Sequence, residues 1–354
     1  MTASPPISRS ALRLDSLTGV RAIAAFLVFW HHGAEQFEGG ISSGMIGVSL
    51  FYILSGFVMA WTDRESDTAW LFYRRRFARI YPVYFVAVTV AIAFAVVGGR
   101  FEPVDLAAYT LLQSWFPFDE VYFAANAVFW SLSCEVFFYL VFPALRKLTR
   151  RLDHMGLWRL GIAAVAVSFA VATVASFFPQ SQFLGWAVIV FPPSRLPEFV
   201  LGVILGSLMA RGWQPRVSLL LAFGLAGVAA VAALVVPYAF SRYAVTLIPF
   251  ALLVVALASA DIDGRRVFTQ WGWMVKLGIW SYCFYLVHLM VLNRIEGITV
   301  GLGLPPTASV LLALPASVVA AWLLHILVER PGERLLRPKG RRRVDSDEPL
   351  PAER

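Results

Sequence analysis

Ten apolar runs, each long enough to cross a lipid bilayer, constrain this chain more than anything else in it. A hydrocarbon core of about 30 Å needs roughly 17–25 apolar residues per crossing. Runs of that kind lie near 20–37, 44–62, 80–97, 124–145, 160–178, 186–209, 217–236, 243–260, 277–294 and 308–328. Pro192-Pro193 interrupts the sixth, and the short apolar stretch 104–116 reads as re-entrant or interfacial. Composition agrees: 59% of the 354 residues are hydrophobic and only 15% charged, against about 25% charged in soluble chains. Disorder, collagen and a disulfide scaffold are thereby excluded. Cys134 and Cys283 both sit inside apolar runs, so neither a disulfide framework nor a zinc site is expected, and no metal. The first run carries Arg21, His31, His32 and Glu35 with no small-residue cleavage site after it, unlike a removable signal peptide.

Basic residues orient the runs. With the N-terminus inside, 26 of the 30 Lys and Arg fall on the inner side, leaving Arg100, Arg195, Arg242 and Arg294 outside. That asymmetry is what the positive-inside rule asks of an even number of crossings. The expected architecture is an all-α, polytopic membrane helix bundle of about ten transmembrane helices with both termini cytoplasmic. Residues 1–13 form an inner segment, 14–331 the membrane domain, and 332–354 a basic, solvated tail. The net charge of +8 is then explained by topology and anionic lipid, with no nucleic-acid partner.

Ionisable side chains at membrane depth cost about 2.5–3.5 kcal/mol each on insertion scales, so each needs a reason. His31, His32, His288, His325 and Glu135 all lie in the apolar runs. At about 1.5 Å per residue, His32, Glu135 and His288 all arrive near the midplane. Each could instead be an isolated polar group hydrogen-bonded between helices. His31 points about 100° away from its neighbour and reads equally well as structural, and His325 as a headgroup-level residue. Entering the third run is Arg74-Arg75-Arg76-Phe77-Ala78-Arg79. Arg76 and Arg79, three apart, share a helical face, and guanidinium forks bind phosphate oxygens bidentately. A stop-transfer cluster explains basic residues there, but it does not demand four arginines and no lysine.

These pieces follow one another in a recognisable order. Arg21-x10-His32 comes first, then Gly47-Val-Ser-Leu-Phe-Tyr-Ile-Leu-Ser55-Gly56-Phe57, then Arg76-x-x-Arg79-Ile-Tyr-Pro82. Trp130-Ser-Leu-Ser-Cys-Glu135-x-Phe-Phe-Tyr139, Arg195-Leu-Pro-Glu-Phe-x-x-Gly202 and Ser281-Tyr-x-x-Tyr-Leu-x-His288 complete it. The series resembles the acyltransferase-3 family of integral-membrane O-acyltransferases. Ser49 stands where that family usually has Asp, and Val136 where many members carry a second acid.

The resemblance implies transfer of an acyl group, commonly acetyl from acetyl-CoA, to a hydroxyl, often on a sugar, in a bacterial inner membrane. No permanently bound cofactor is implied; acyl-CoA is the donor substrate and a carbohydrate or glycoconjugate the acceptor. His32 is the expected general base, with an acyl-imidazole carrier as the alternative, and Glu135 is expected to orient it. Arg76 and Arg79 would hold the donor phosphates. Arg21 would pair with Asp15 or the donor, while His288 and Arg195 would serve substrate binding. A transporter or flippase is the rival class, since many spans with buried charges also describe a carrier. Gly202-x3-Gly206 permits close helix approach, within one chain or between copies in a homo-oligomer.

Overall fold

The computed structural model describes residues 12–37, 43–64 and 67–336. Most of the expected N-terminal segment and the tail beyond 336 lie outside the described residues. Thirteen α-helices occur among the described residues: α1 (Asp15–Ala34), α2 (Ile46–Trp61), α3 (Ala69–Val97), α4 (Asp119–Tyr122), α5 (Trp130–Arg151), α6 (His154–Ser176), α7 (Gln182–Ile189), α8 (Pro192–Ala210), α9 (Leu219–Ala232), α10 (Val245–Ile262), α11 (Gly272–Gly301), α12 (Pro306–Leu324) and α13 (Arg330–Leu336). No strand occurs among the described residues.

All ten apolar runs fall in helices, yet six helical stretches among the described residues are long and apolar enough to cross a membrane: Ala69–Val97, His154–Ser176, Gln182–Ala210, Phe240–Ile262, Gly272–Gly301 and Pro306–Leu336. α2 and α9 are apolar but shorter. α1 and α5, which carry Arg21, His32 and Glu135, are outside the six. Outward faces are apolar, with Leu220, Val235, Leu311 and Leu327 strongly exposed, the reverse of a water-facing surface.

Local sequence explains the helix limits. Thr68 caps α3, accepting from Leu71 N at 3.2 Å. Its 29 residues rise about 44 Å, longer than the core, so the first turns carry the arginines beyond the apolar zone. Pro192 occupies the first turn of α8, where a missing N–H costs nothing, and the proline pair makes a kink between α7 and α8. The 104–116 stretch forms two 3₁₀ turns, Pro103–Thr110 and Gln113–Trp115. Gln113 and Ser114 are buried there, bonded to Tyr84, Phe129 and Trp130.

Two close crossings set the core. A Cβ at Gly278 of α11 would lie 1.8 Å from Thr18 O of α1, so only glycine permits that contact. A Cβ at Gly202 or Gly206 of α8 would come within 2.1 and 2.4 Å of Ile53 O and Phe57 O of α2. The Gly202-x3-Gly206 pattern is therefore used within the chain.

Candidate active site

Arg21 and His32 are eleven residues apart, close to three helical turns, so both lie on one face of α1 about 16 Å apart along its axis. α11 runs beside that face: Arg21 Nε donates to Ser281 Oγ at 3.2 Å, and the His32 and His288 ring centroids are 5.4 Å apart. The two sequence-predicted histidines thus meet. Their nitrogens are fixed differently. His32 Nδ1 lies 3.2 Å from Glu35 Oε2; His31 Nε2 lies 3.4 Å from Glu35 Oε1. A carboxylate accepts, so Nδ1 of His32 carries the hydrogen, an arrangement that in the neutral ring leaves the lone pair on Nε2. His288 is fully buried and its Nδ1 donates to Tyr285 O at 2.8 Å. Its Nε2 has no hydrogen-bond partner among the described residues.

Glu135 is placed elsewhere. It accepts from Tyr139 OH, one turn along α5, and from Ser55 Oγ at 3.4 Å. The carboxylate beside His32 is Glu35, not Glu135. Sequence reasoning passed over Glu35 as a site residue, although its i,i+3 spacing from His32 was the available signal.

Glu135 lines a cavity of about 470 Å³ together with Arg21, Arg76, Arg79, Tyr139 and Tyr282. On its rim, Arg75 pairs with Asp67 at 2.6 Å, and Arg146 and Arg150 pair with Asp63 at 3.2 and 2.6 Å. The inner arginines differ. Arg76 stands 5.5 Å from the Phe72 and Tyr139 ring centres; Arg21 stands 5.7 Å from that of Phe51. Neither makes a carboxylate salt bridge among the described residues, and Arg79 has only Glu333, at 3.8 Å. Asp15, a candidate partner for Arg21, pairs with Arg13 instead.

A narrower cavity of about 50 Å³ continues from the first, sharing Arg21, Ser55, Glu135 and Tyr282 and reaching Tyr285. The Tyr285 ring is 5.8 Å from that of His288. A path of contact therefore leads from the arginines through Glu135 to the histidine pair, with Tyr285 between; His32 itself lines neither cavity.

Arg195 stands apart from both. It is 1% exposed, bonded to Glu198 at 2.8 and 3.2 Å and to Ser49 Oγ at 3.2 Å, with Tyr243 beneath it at 4.9 Å. Ser49 replaces a family Asp, and Glu198 supplies the charge that Arg195 needs. His325 is half-buried, its Nδ1 2.6 Å from Glu329 Oε2, which also accepts from Cys283 Sγ at 3.2 Å. His325 and Glu329 are one turn apart, Cys283 comes from α11, and no motif announced the three.

Similarity to known proteins agrees with this geometry. The family model described as an acyltransferase domain, acyltransferase-3, matches residues 14–326. Acyltransferase MdmB of Streptomyces mycarofaciens is 38% identical over 96% of both chains. The exopolysaccharide production protein ExoZ of Rhizobium meliloti (strain 1021) is 30% identical over 88% of this chain and 96% of its own length. The peptidoglycan O-acetyltransferase OatA of Listeria monocytogenes is 30% identical over 37% of this chain and 24% of its own. No solved structure matches. With its motifs in order and a family match over nearly its whole length, this chain belongs to the acyltransferase-3 family and is a membrane acyltransferase.

Proposed function

We propose that the protein moves an acyl group, acetyl in the first instance, from cytoplasmic acyl-CoA to a hydroxyl of a carbohydrate or glycoconjugate. One observation carries this reading. Arg21 and Arg76 face a roomy cavity and make no carboxylate salt bridge among the described residues, beside Arg79, which suits the phosphates of an anionic donor. The names of two relatives, peptidoglycan O-acetyltransferase and exopolysaccharide production protein, support a glycan acceptor. The distribution of basic residues supports ten crossings with both termini cytoplasmic, and the bacterial sources of the relatives support a bacterial inner membrane.

In this mechanism the donor phosphates rest on Arg76 and Arg79, and Arg21 holds the entrance to the neck. Glu135, through Tyr139 and Ser55, shapes that neck so that the thioester can pass toward Tyr285. His32, held at Nδ1 by Glu35, takes the acceptor hydroxyl proton on Nε2. The freed oxygen attacks the thioester carbonyl, the C–S bond breaks, and the departing CoA sulfur recovers the proton from the imidazolium. His288 accepts a hydrogen bond from the acceptor.

The test is turnover of labelled acetyl-CoA by the protein in proteoliposomes. His32→Ala is expected to lower acyl transfer by about 10²–10⁴-fold while the protein still inserts and binds CoA. Retained turnover removes His32 from the role of base. Acceptor-dependent release of CoA also separates acyl transfer from transport, which would consume none.

A further inference from the structure

A second polar cavity, of about 320 Å³, lies at the far end of α3 and α11 from the arginines; Phe94, Phe123, Asn126, Leu289, Asn293 and Arg294 are on its wall. Phe94 is fifteen residues beyond Arg79 on the same helix, about 22 Å along the axis, and Leu289 directly follows His288. The site thus begins one residue beyond His288 on α11, on the side opposite to the donor cavity.

Asn126 gives the cavity its chemistry. It is 7% exposed, and its Oδ1 accepts from Val128 N at 3.2 Å. A backbone N–H can only donate, so this bond fixes the amide with its nitrogen turned away. That Nδ2 has no hydrogen-bond partner among the described residues, which is costly for a buried donor. The turn presenting it is strained as well. Ala125, also on the wall, has φ +61°, a left-handed conformation that alanine resists. It is held by Asp105 Oδ1, which accepts from Ala125 N at 2.7 Å, and by Asn126 N closing onto Ala124 O at 2.7 Å. Strain and an unpaired buried donor in one turn are marks of a binding position.

The other wall groups narrow the ligand. Arg294 is engaged with Phe94, donating to its carbonyl at 3.0 Å and lying 4.3 Å from its ring centre. Asp105 is committed to backbone N–H groups at 105's own loop and at Ala125. What remains is an amide donor at Asn126, a second amide at Asn293, the Arg100 guanidinium, and the half-exposed rings of Phe94 and Phe123. Amide and guanidinium donors with aromatic faces suit a hydroxyl-bearing ring rather than an apolar chain.

We propose that this outer cavity is the acceptor site and that it takes a glycosyl ring, one oxygen of which accepts from Asn126 Nδ2. The proposal rests on the acyl-transfer reading above and adds to it where the acceptor enters and what holds it. Donor and acceptor then reach the histidine pair from opposite ends of the bundle.

Asn126→Asp tests this without disturbing the turn, because the bond to Val128 N survives and only the donor is lost. The probes are the p-nitrophenyl glycosides of glucose, galactose, mannose and rhamnose, supplied on the Asn126 side of proteoliposomes loaded with acetyl-CoA, with acylated glycoside read by mass. Asn126→Asp is expected to raise the glycoside KM at least tenfold, leaving the acetyl-CoA KM unchanged. Asn293→Trp, which fills the cavity from another element, should do the same. An unaltered glycoside KM in both variants overturns the proposal. So does a wild-type protein that binds acetyl-CoA yet acylates none of the four glycosides. Failure to bind acetyl-CoA at all instead brings down the donor reading, and this assignment with it.

Discussion

Arg195 on α8 and Arg76 on α3 are both arginines set among apolar helices, yet they are handled in opposite ways. Arg195 is matched one turn along by Glu198, capped by Ser49, enclosed by aromatic rings and left 1% exposed. Arg76 stands over Phe72 and Tyr139 with no carboxylate salt bridge among the described residues and an open cavity before it. A charge that is neutralised and sealed holds helices in register. A charge left in excess beside free space is complementary to something that arrives. Residue type and depth do not separate these cases; the partner and the space do.

The comparison can be broken most forcefully at Glu198. Glu198→Ala leaves Arg195 buried and uncompensated, which should cost about 3–5 kcal/mol and appear as a large loss of thermal stability in detergent. The double replacement Arg195→Met, Glu198→Met should recover most of that loss, since removing a buried pair whole is often neutral. If the pair binds substrate instead, the double variant will be stable and inactive.

Arg76→Ala with Arg79→Ala should do the reverse, raising the acetyl-CoA KM with little change in stability. A hydrogen bond to a charged group is worth about 1.5–3 kcal/mol, so a rise of roughly 10–100-fold is expected. Lysine at both positions should rescue only part of it, because an ammonium lacks the fork. An unchanged donor KM would reduce the cluster to a topological signal.

Smaller effects sharpen the contrast. Ser49→Ala removes an acceptor from Arg195 and should cost about 1 kcal/mol of stability without moving the donor KM. Glu333→Gln breaks a partly exposed contact of 3.8 Å and should change stability by less than about 0.5 kcal/mol. A larger loss there would mean that Glu333 fixes Arg79 in the way Glu198 fixes Arg195.

Much of this was readable from the chain alone. The Arg21-x10-His32 spacing is three helical turns, so a shared face follows from the helix repeat. The equal depths of His32 and His288 anticipated their meeting, because each counted residues from a membrane edge. Glu135 has a similar depth and still belongs to another group. Depth is one coordinate, and the azimuth of α5 about the bundle comes from its packing. Glu35 was overlooked because it sits at the exposed end of α1, where an acid needs no explanation. The six stretches that qualify as spans are fewer than the ten apolar runs, since α1 and α5 give up apolar character to carry the site and α2 and α9 are short.

Family, reaction class and helical architecture were determined by sequence, because motif spacing and apolar periodicity are local properties that survive without coordinates. Which carboxylate serves which histidine, that Gly202 and Gly206 meet α2 of the same chain, and that Arg195 is sealed while Arg76 is not were decided only by the tertiary structure. Those outcomes depend on helix rotation and close approach, and both are settled by packing between segments distant in sequence.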